Sequence, residues 1–160
     1  LTATRSSEVR LADWEEINME ARLWVIPAER MKASVAHRVP LTQRCIDILE
    51  EAERFADGSQ FIFHGMKINR PLSENTFSKL INILEYNADA HGFRTSFRTW
   101  TQEKTNYPGE IAEQALAHSL KDKAEAAYAR SDQLEKRRQM MQDWENYIFR
   151  KDADIISIKA

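Results

Sequence analysis

The stretch His91-Gly92-Phe93-Arg94-Thr95-Ser96-Phe97-Arg98-Thr99-Trp100 sets an imidazole and a guanidinium three residues apart. From the entry to a helix, that spacing lets both groups reach one anionic centre. The same string also reads as a half-buried histidine beside a surface arginine, and alone it does not choose between the two. Farther on, Ala115-Leu116-Ala117-His118 adds a second imidazole, and Ala126-Ala127-Tyr128-Ala129-Arg130-Ser131-Asp132 adds a phenol. A phenol with an ordinary pKa near ~10 becomes a nucleophile at neutral pH only beside a base or a positive field. Read in isolation, Tyr128 is also a packing residue of an Ala-rich helix.

Taken in order, these segments resemble the tyrosine recombinases, and among them the prophage and satellite-phage integrases. In that family an H-x-x-R box, often HGFR with a Thr-Trp pair after it, precedes a helix ending in a histidine and then a tyrosine commonly followed by x-R. Two upstream boxes extend the resemblance over essentially the whole chain. Leu1 to Arg10 is similar to the family's first arginine box, with Arg5 as its arginine and Glu8 as the acidic companion, and Trp14 to Ile17 matches the W-x-x-I that follows. Ile26 to Lys32 with His37 to Leu41 is similar to the lysine-bearing hairpin, which places the lysine at Lys32, although Arg30 and Lys67 are basic and in loops too. Ala3 and Ala117 depart from the pattern, standing where many members carry glycine. Both are small, so altered backbone freedom is expected rather than lost chemistry.

The resemblance implies a catalytic set of Arg5, Lys32, His91, Arg94, His118 and the nucleophile Tyr128. Arg5 and Arg94 would clamp the two non-bridging oxygens of a phosphodiester with paired donors. His118 would add a hydrogen bond in the transition state. His91 is the candidate base for the phenol, and Lys32 the general acid for the leaving 5′ oxygen. The implied function is site-specific DNA recombination through a 3′-phosphotyrosyl intermediate, for integration and excision of a phage or mobile element. A type IB-like topoisomerase and a non-catalytic helical DNA-binding module are the alternatives. The implied partners are double-stranded DNA at attachment sites and further copies of the chain in a tetramer. The expected setting is the cytoplasm of a bacterial host, at the nucleoid.

The elements that must position these residues follow from pattern. The chain has 160 residues, 42% hydrophobic and 30% charged, with 4 Gly and 4 Pro. That is the composition of one helix-rich globular domain. A net charge of −2 argues against a uniformly basic DNA binder, but the charge is uneven. Acids crowd the beginning, from Glu8 to Glu20, and Lys121, Lys123, Arg130, Lys136, Arg137 and Arg138 gather late, which leaves room for a basic face on a near-neutral domain. No apolar run approaches a membrane span. The four histidines and single Cys45 lack zinc-ligand spacing, so no metal and no cofactor is expected. Cys45 reads as a buried structural thiol, and neither His37 nor His64 has a motif role.

Periodicity predicts a short helix over Glu8 to Asn18 that turns into a strand, and a hairpin from Leu23–Pro27 and His37–Leu41. A helix capped by Thr42 carries Ile46, Leu49, Ala52 and Ala56 on one face. After Pro71 and Ser73, a further helix brings Phe77, Leu80, Ile81 and Leu84 to the core. Helices are expected over Thr95–Lys104 and Pro108–His118, then over the Ala-rich Lys121–Ala129. A last amphipathic helix over Gln133–Arg150 turns Leu134, Met141, Trp144 and Ile148 to one side. The Ile-rich tail 153–160 reads as a strand, pairing with its own domain or with a neighbouring protomer. The expected fold is thus mainly α with a small antiparallel β-sheet, the recombinase catalytic-domain fold. The expectation extends to a catalytic domain over residues 1–160 that lacks its first helices. Arm-binding and core-binding domains would lie upstream in the intact protein, and the isolated piece would be weakly active.

Overall fold

Strict alternation in Leu23-Trp24-Val25-Ile26 and His37-Arg38-Val39-Pro40 turns Trp24, Ile26, His37 and Val39 inward, with Val25 and Arg38 outward, the period-two pattern of a sheet with one buried face. The computed structural model, which describes residues 1–56, 58–67, 69–118 and 132–150, folds these runs as strands β2 (Leu23–Ile26) and β3 (His37–Pro40). They pair antiparallel, with Leu23 opposite Pro40 and Ile26 opposite His37. A short strand β1 (Ile17–Asn18) pairs with β2 on the other side, giving the order β1-β2-β3. Ahead of it lie helix α1 (Ser6–Arg10) and a 3-10 turn over Trp14–Glu16. The predicted helix breaks there because the Asp13 carboxylate accepts from the Glu15 amide at 2.9 Å and starts a new turn.

Helix α2 (Gln43–Arg54) lays Cys45, Ile46 and Leu49 into a core shared with Trp24, Ile26, Val39, Leu41 and Ile62. Cys45 is buried, as its setting predicts. Thr42 does stand at the start of this helix, but its hydroxyl meets the Cys45 Sγ at 3.3 Å rather than a backbone amide. Helices α4 (Gly92–Lys104), α5 (Gly109–Ala115) and α6 (Leu134–Phe149) build a second core. Its centre is aromatic: Phe97 meets Trp144 edge-on at 5.5 Å, and Trp100 lies 5.1 Å from Trp144.

Two core expectations need correction. Helix α3 (Thr76–Ile83) forms, but only Ile81 on it is buried, while Leu80 is 50% and Ile83 76% exposed. Leu84, which closes the same stripe, is 54% exposed as well. On α6 the buried face carries Arg137, Met140, Met141, Trp144 and Glu145, and Ile148 is turned outward. The face is rotated because an arginine, invisible to a hydrophobicity pattern, occupies an inward position. The predicted Ala-rich helix, Tyr128 and the tail strand lie outside the described residues. Among those residues no helix is long and apolar enough to cross a membrane.

Candidate active site

Arg5 ends the extended segment ahead of α1, and Glu8 folds back on it. The Glu8 carboxylate accepts from the Arg5 amide at 2.6 Å and from Arg5 Nη1 at 2.7 Å. An acid in the first helical turn satisfies an otherwise open amide and faces the positive end of the helix dipole. Glu8 is buried, whereas the Arg5 side chain keeps 27% exposure, so its guanidinium is anchored from behind and still accessible.

Arg94 arrives from the first turn of α4 and is only 5% exposed. Its Nη1 donates to the carbonyl of Ala3 at 2.5 Å, and its Nη2 donates to the carbonyl of Leu116 at 2.8 Å. The same Nη2 lies 3.3 Å from His118 Nε2. Burial and the nearby Arg5 charge both push the Arg94 pKa down, against a smaller pull from Glu8. A guanidinium keeps its proton regardless, so this is a crowded, partly desolvated positive centre of the kind that favours an incoming anion.

His118 lies just beyond α5, not at its last turn as its box implies. The Ala117 amide donates to the carbonyl of Gln114 at 3.0 Å and the His118 amide to the carbonyl of Glu113 at 2.9 Å, the two bonds of a Schellman ending. Such an ending needs a left-handed residue, and Ala117 supplies it at φ 50°. Ala3 is likewise left-handed at φ 52°. The two departures from glycine therefore fall where the backbone is strained for an L-residue. Each turn aims a group at the site: the Ala3 carbonyl at Arg94, and the imidazole that follows Ala117.

The sequence reading missed three contributors. Glu113 accepts from His118 Nδ1 at 2.7 Å and pairs with Arg98 at 2.8 Å. This fixes the imidazole with its proton on Nδ1 and its Nε2 toward Arg94. Its only sequence signal is an acid five residues before the histidine. The third is His37, 8% exposed on β3. Burial, with help from Arg137 and Arg94, drops its pKa to about 4, against the pull of Glu8 and a bond to the Ala115 carbonyl. The alternation of β3 gave the signal, since His37 shares the inward face with Val39.

Arg5, Arg94 and His118 thus converge from segments 89 and 24 residues apart. Lys32 sits exposed between β2 and β3, after a 3-10 turn over Ala28–Arg30. Arg30, the neighbouring base, is bound to the Glu16 carboxylate and to the Glu8 carbonyl at 2.6 Å. His91 is exposed at the N-terminal cap of α4, with its carbonyl accepting from the Arg94 amide at 3.0 Å. Among the described residues, no cluster of three or more His, Cys, Asp or Glu side chains could hold a metal ion.

The phage integrase family matches residues 1–135. The chain belongs to that family. This integrase-family chain is 38% identical over 161 residues to the prophage integrase IntA of Escherichia coli K12, and 32% identical over 166 residues to the integrase of Enterobacteria phage P4. Those alignments cover 99% and 92% of it, and it spans 38% of the length of each relative. Its fold is similar to that of the Tn1549 transposon integrase, solved in complex with a circular intermediate DNA. That match has a TM-score of 0.52 at 14% identity, over 81% of this chain and 55% of the other. The mainly helical fold with a three-stranded antiparallel sheet is therefore that of the integrases.

Proposed function

We propose that residues 1–160 are the catalytic domain of a site-specific DNA recombinase that cuts and rejoins DNA through a covalent bond to Tyr128. The convergence of Arg5, Arg94 and His118 on one anion-binding locus carries this reading. Two guanidiniums and an imidazole suit a phosphorus centre whose equatorial oxygens gain charge as it becomes five-coordinate.

In the proposed reaction, Tyr128 Oη attacks phosphorus while its proton passes to His91. The bond from phosphorus to the 5′ oxygen breaks, and Lys32 protonates that oxygen as it leaves. The product is a 3′-phosphotyrosyl ester and a free 5′ hydroxyl. A 5′ hydroxyl from a second DNA reverses the steps, so bond energy is kept and no nucleotide is hydrolysed. The exposed hairpin position of Lys32 suits an acid that must meet a duplex laid over the sheet edge.

The whole protein would act on attachment sites in double-stranded DNA, joined to arm-binding and core-binding domains. Four copies would assemble on paired sites, with the tail 153–160 as a contact between protomers. Its setting would be the bacterial cytoplasm at the nucleoid. Relatives that are integrases at 30% identity or more favour strand exchange over simple relaxation. The test is a nicked suicide duplex carrying the element's crossover sequence. A covalent protein–DNA adduct that disappears in Tyr128→Phe is expected. An intact protein that binds the duplex yet never forms that adduct refutes the proposal.

A further inference from the structure

Asp132, four residues after Tyr128 in the sequence, is held by an ion cluster that the recombinase motifs do not account for. Asp132 Oδ2 accepts from Arg38 Nε at 2.7 Å and from Arg137 Nη2 at 2.7 Å, and its Oδ1 pairs with Arg38 Nη2. The Asp132 carbonyl accepts from Arg137 Nε at 2.7 Å, and Arg137 Nη1 donates to the Arg38 carbonyl at 2.5 Å. One aspartate is thus gripped through both its side chain and its backbone. The grip joins β3 to the base of α6, across 94 and 99 residues of sequence.

Arg137 is only 1% exposed. Burying a guanidinium carries a large desolvation penalty, and apolar side chains would tie a strand to a helix with less. What an ion cluster adds is directional definition of where one residue sits. The next residue, Gln133, is left-handed at φ 48° and turns the chain sharply into α6. A non-glycine residue held in that region is over-determined by its surroundings. Next to Arg38 on β3, the buried His37 feels the charges of both Arg94 and Arg137. The anchor and the phosphate-facing arginine are therefore referenced to the same strand, one residue apart.

We propose that the Arg38–Asp132–Arg137 clamp is a positioning device for the attacking phenol, fixing the downstream end of the tyrosine segment relative to the Arg5, Arg94 and His118 cradle. The inference rests on Tyr128 being the nucleophile. Chain length supports it. Tyr128 is four residues from Asp132, a tether of at most about 14 Å, against ten residues and about 36 Å from His118. The downstream anchor is the tighter constraint on where the phenol can go.

The test separates placement of the phenol from activation of the phosphate, using the intact protein on the nicked duplex. Tyrosine-dependent adduct formation is measured under saturating DNA in the unaltered protein, Asp132→Asn and Arg38→Gln. In parallel, each change is placed in a Tyr128→Phe background and cleavage is driven by added hydrogen peroxide, whose anion attacks phosphorus in place of the phenol. The clamp variants are expected to slow adduct formation about ten- to a hundredfold, with peroxide cleavage and DNA affinity within about twofold of the reference. Arg38 is the safer site should Asp132→Asn fail to fold, since its side chain is 46% exposed. Equal loss of both reactions means the clamp only supports the fold, and unchanged adduct formation means it does not position the phenol. Either result overturns the inference while leaving the recombinase reading intact. An unaltered protein that forms no Tyr128-dependent adduct overturns both.

Discussion

Acidification should unlock this fold through one imidazole. His37 is buried on β3, within the fields of Arg137, Arg94 and Glu8, and it bonds to the Ala115 carbonyl. Burial, the largest cause, holds the folded-state pKa at about 4, against an ordinary 6.5. The folded protein keeps this group neutral, and the unfolded chain takes up a proton as pH falls below 6.5. The associated stability is fully present above pH 6.5 and is lost as pH falls toward 4. At about 1.4 kcal/mol for each tenfold difference in proton affinity, the whole loss is about 3 kcal/mol, a large share of a small domain's stability. The assay is equilibrium urea unfolding at several pH values from about 7.5 to 4, on the parent and on His37→Gln, which keeps a donor but cannot charge. Carboxylates titrate in both proteins and cancel in the difference. The gap between the two stability curves should close, or reverse, by about 3 kcal/mol over that range. Parallel curves would refute the argument, since they would mean that His37 charges equally in the folded and unfolded states.

Three further outcomes follow from the same contacts. Ala117→Gly relieves a left-handed alanine at the end of α5, and Ala3→Gly does so before α1. Each should raise stability by about 0.5–1 kcal/mol, after the greater freedom of unfolded glycine is subtracted; an unchanged urea midpoint counts against the strain. Glu113→Gln removes the carboxylate shared by His118 and Arg98 and should slow adduct formation by roughly ten- to a hundredfold at unchanged DNA affinity, as measured by single-turnover cleavage. Phe97→Ala empties a fully buried ring site beside Trp100 and Trp144 and should cost about 3–5 kcal/mol by urea unfolding. A cost under about 1 kcal/mol would mean that the aromatic centre collapses to fill the space.

Much of this was legible because local pattern encodes it. The Val, Ile and Trp of Leu23–Pro27 and His37–Leu41, flanking a polar stretch, mark a hairpin, and the stripe Ile46, Leu49, Ala52 marks α2 and its buried face. Of the residues those boxes name, Arg94 lies beside His118 and feels the charge of Arg5, whereas Lys32 and His91 are exposed and Tyr128 lies outside the described residues. Periodicity states which side of a helix is apolar, though, not whether anything covers it. That is why α3 was assigned to the core, yet it leaves Leu80 and Ile83 exposed. Ion pairs between remote segments leave no local trace at all. In sequence Arg137 counts among the late basic residues and Arg38 is one residue of the hairpin, and only the fold reveals that they share Asp132. His37 was passed over for a related reason: a single imidazole in a strand takes its meaning from what the far side of the sheet brings to it.

The two carbonyl bonds of Arg94 would make the proposed phosphate clamp a structural rivet as well. Ala3 packs on the helical core and Ala117 on the sheet core, and the guanidinium bonds the Ala3 backbone and the Leu116 backbone, next to Ala117, where those halves interlock. Replacing it would strip two buried oxygens of their donors and loosen the seam along with the chemistry. An inactive protein made that way reports on architecture as much as on catalysis. Under the proposed function, Arg5, 27% exposed and paired with Glu8, is the guanidinium whose replacement leaves the bonds of Arg94 to the Ala3 and Leu116 carbonyls in place.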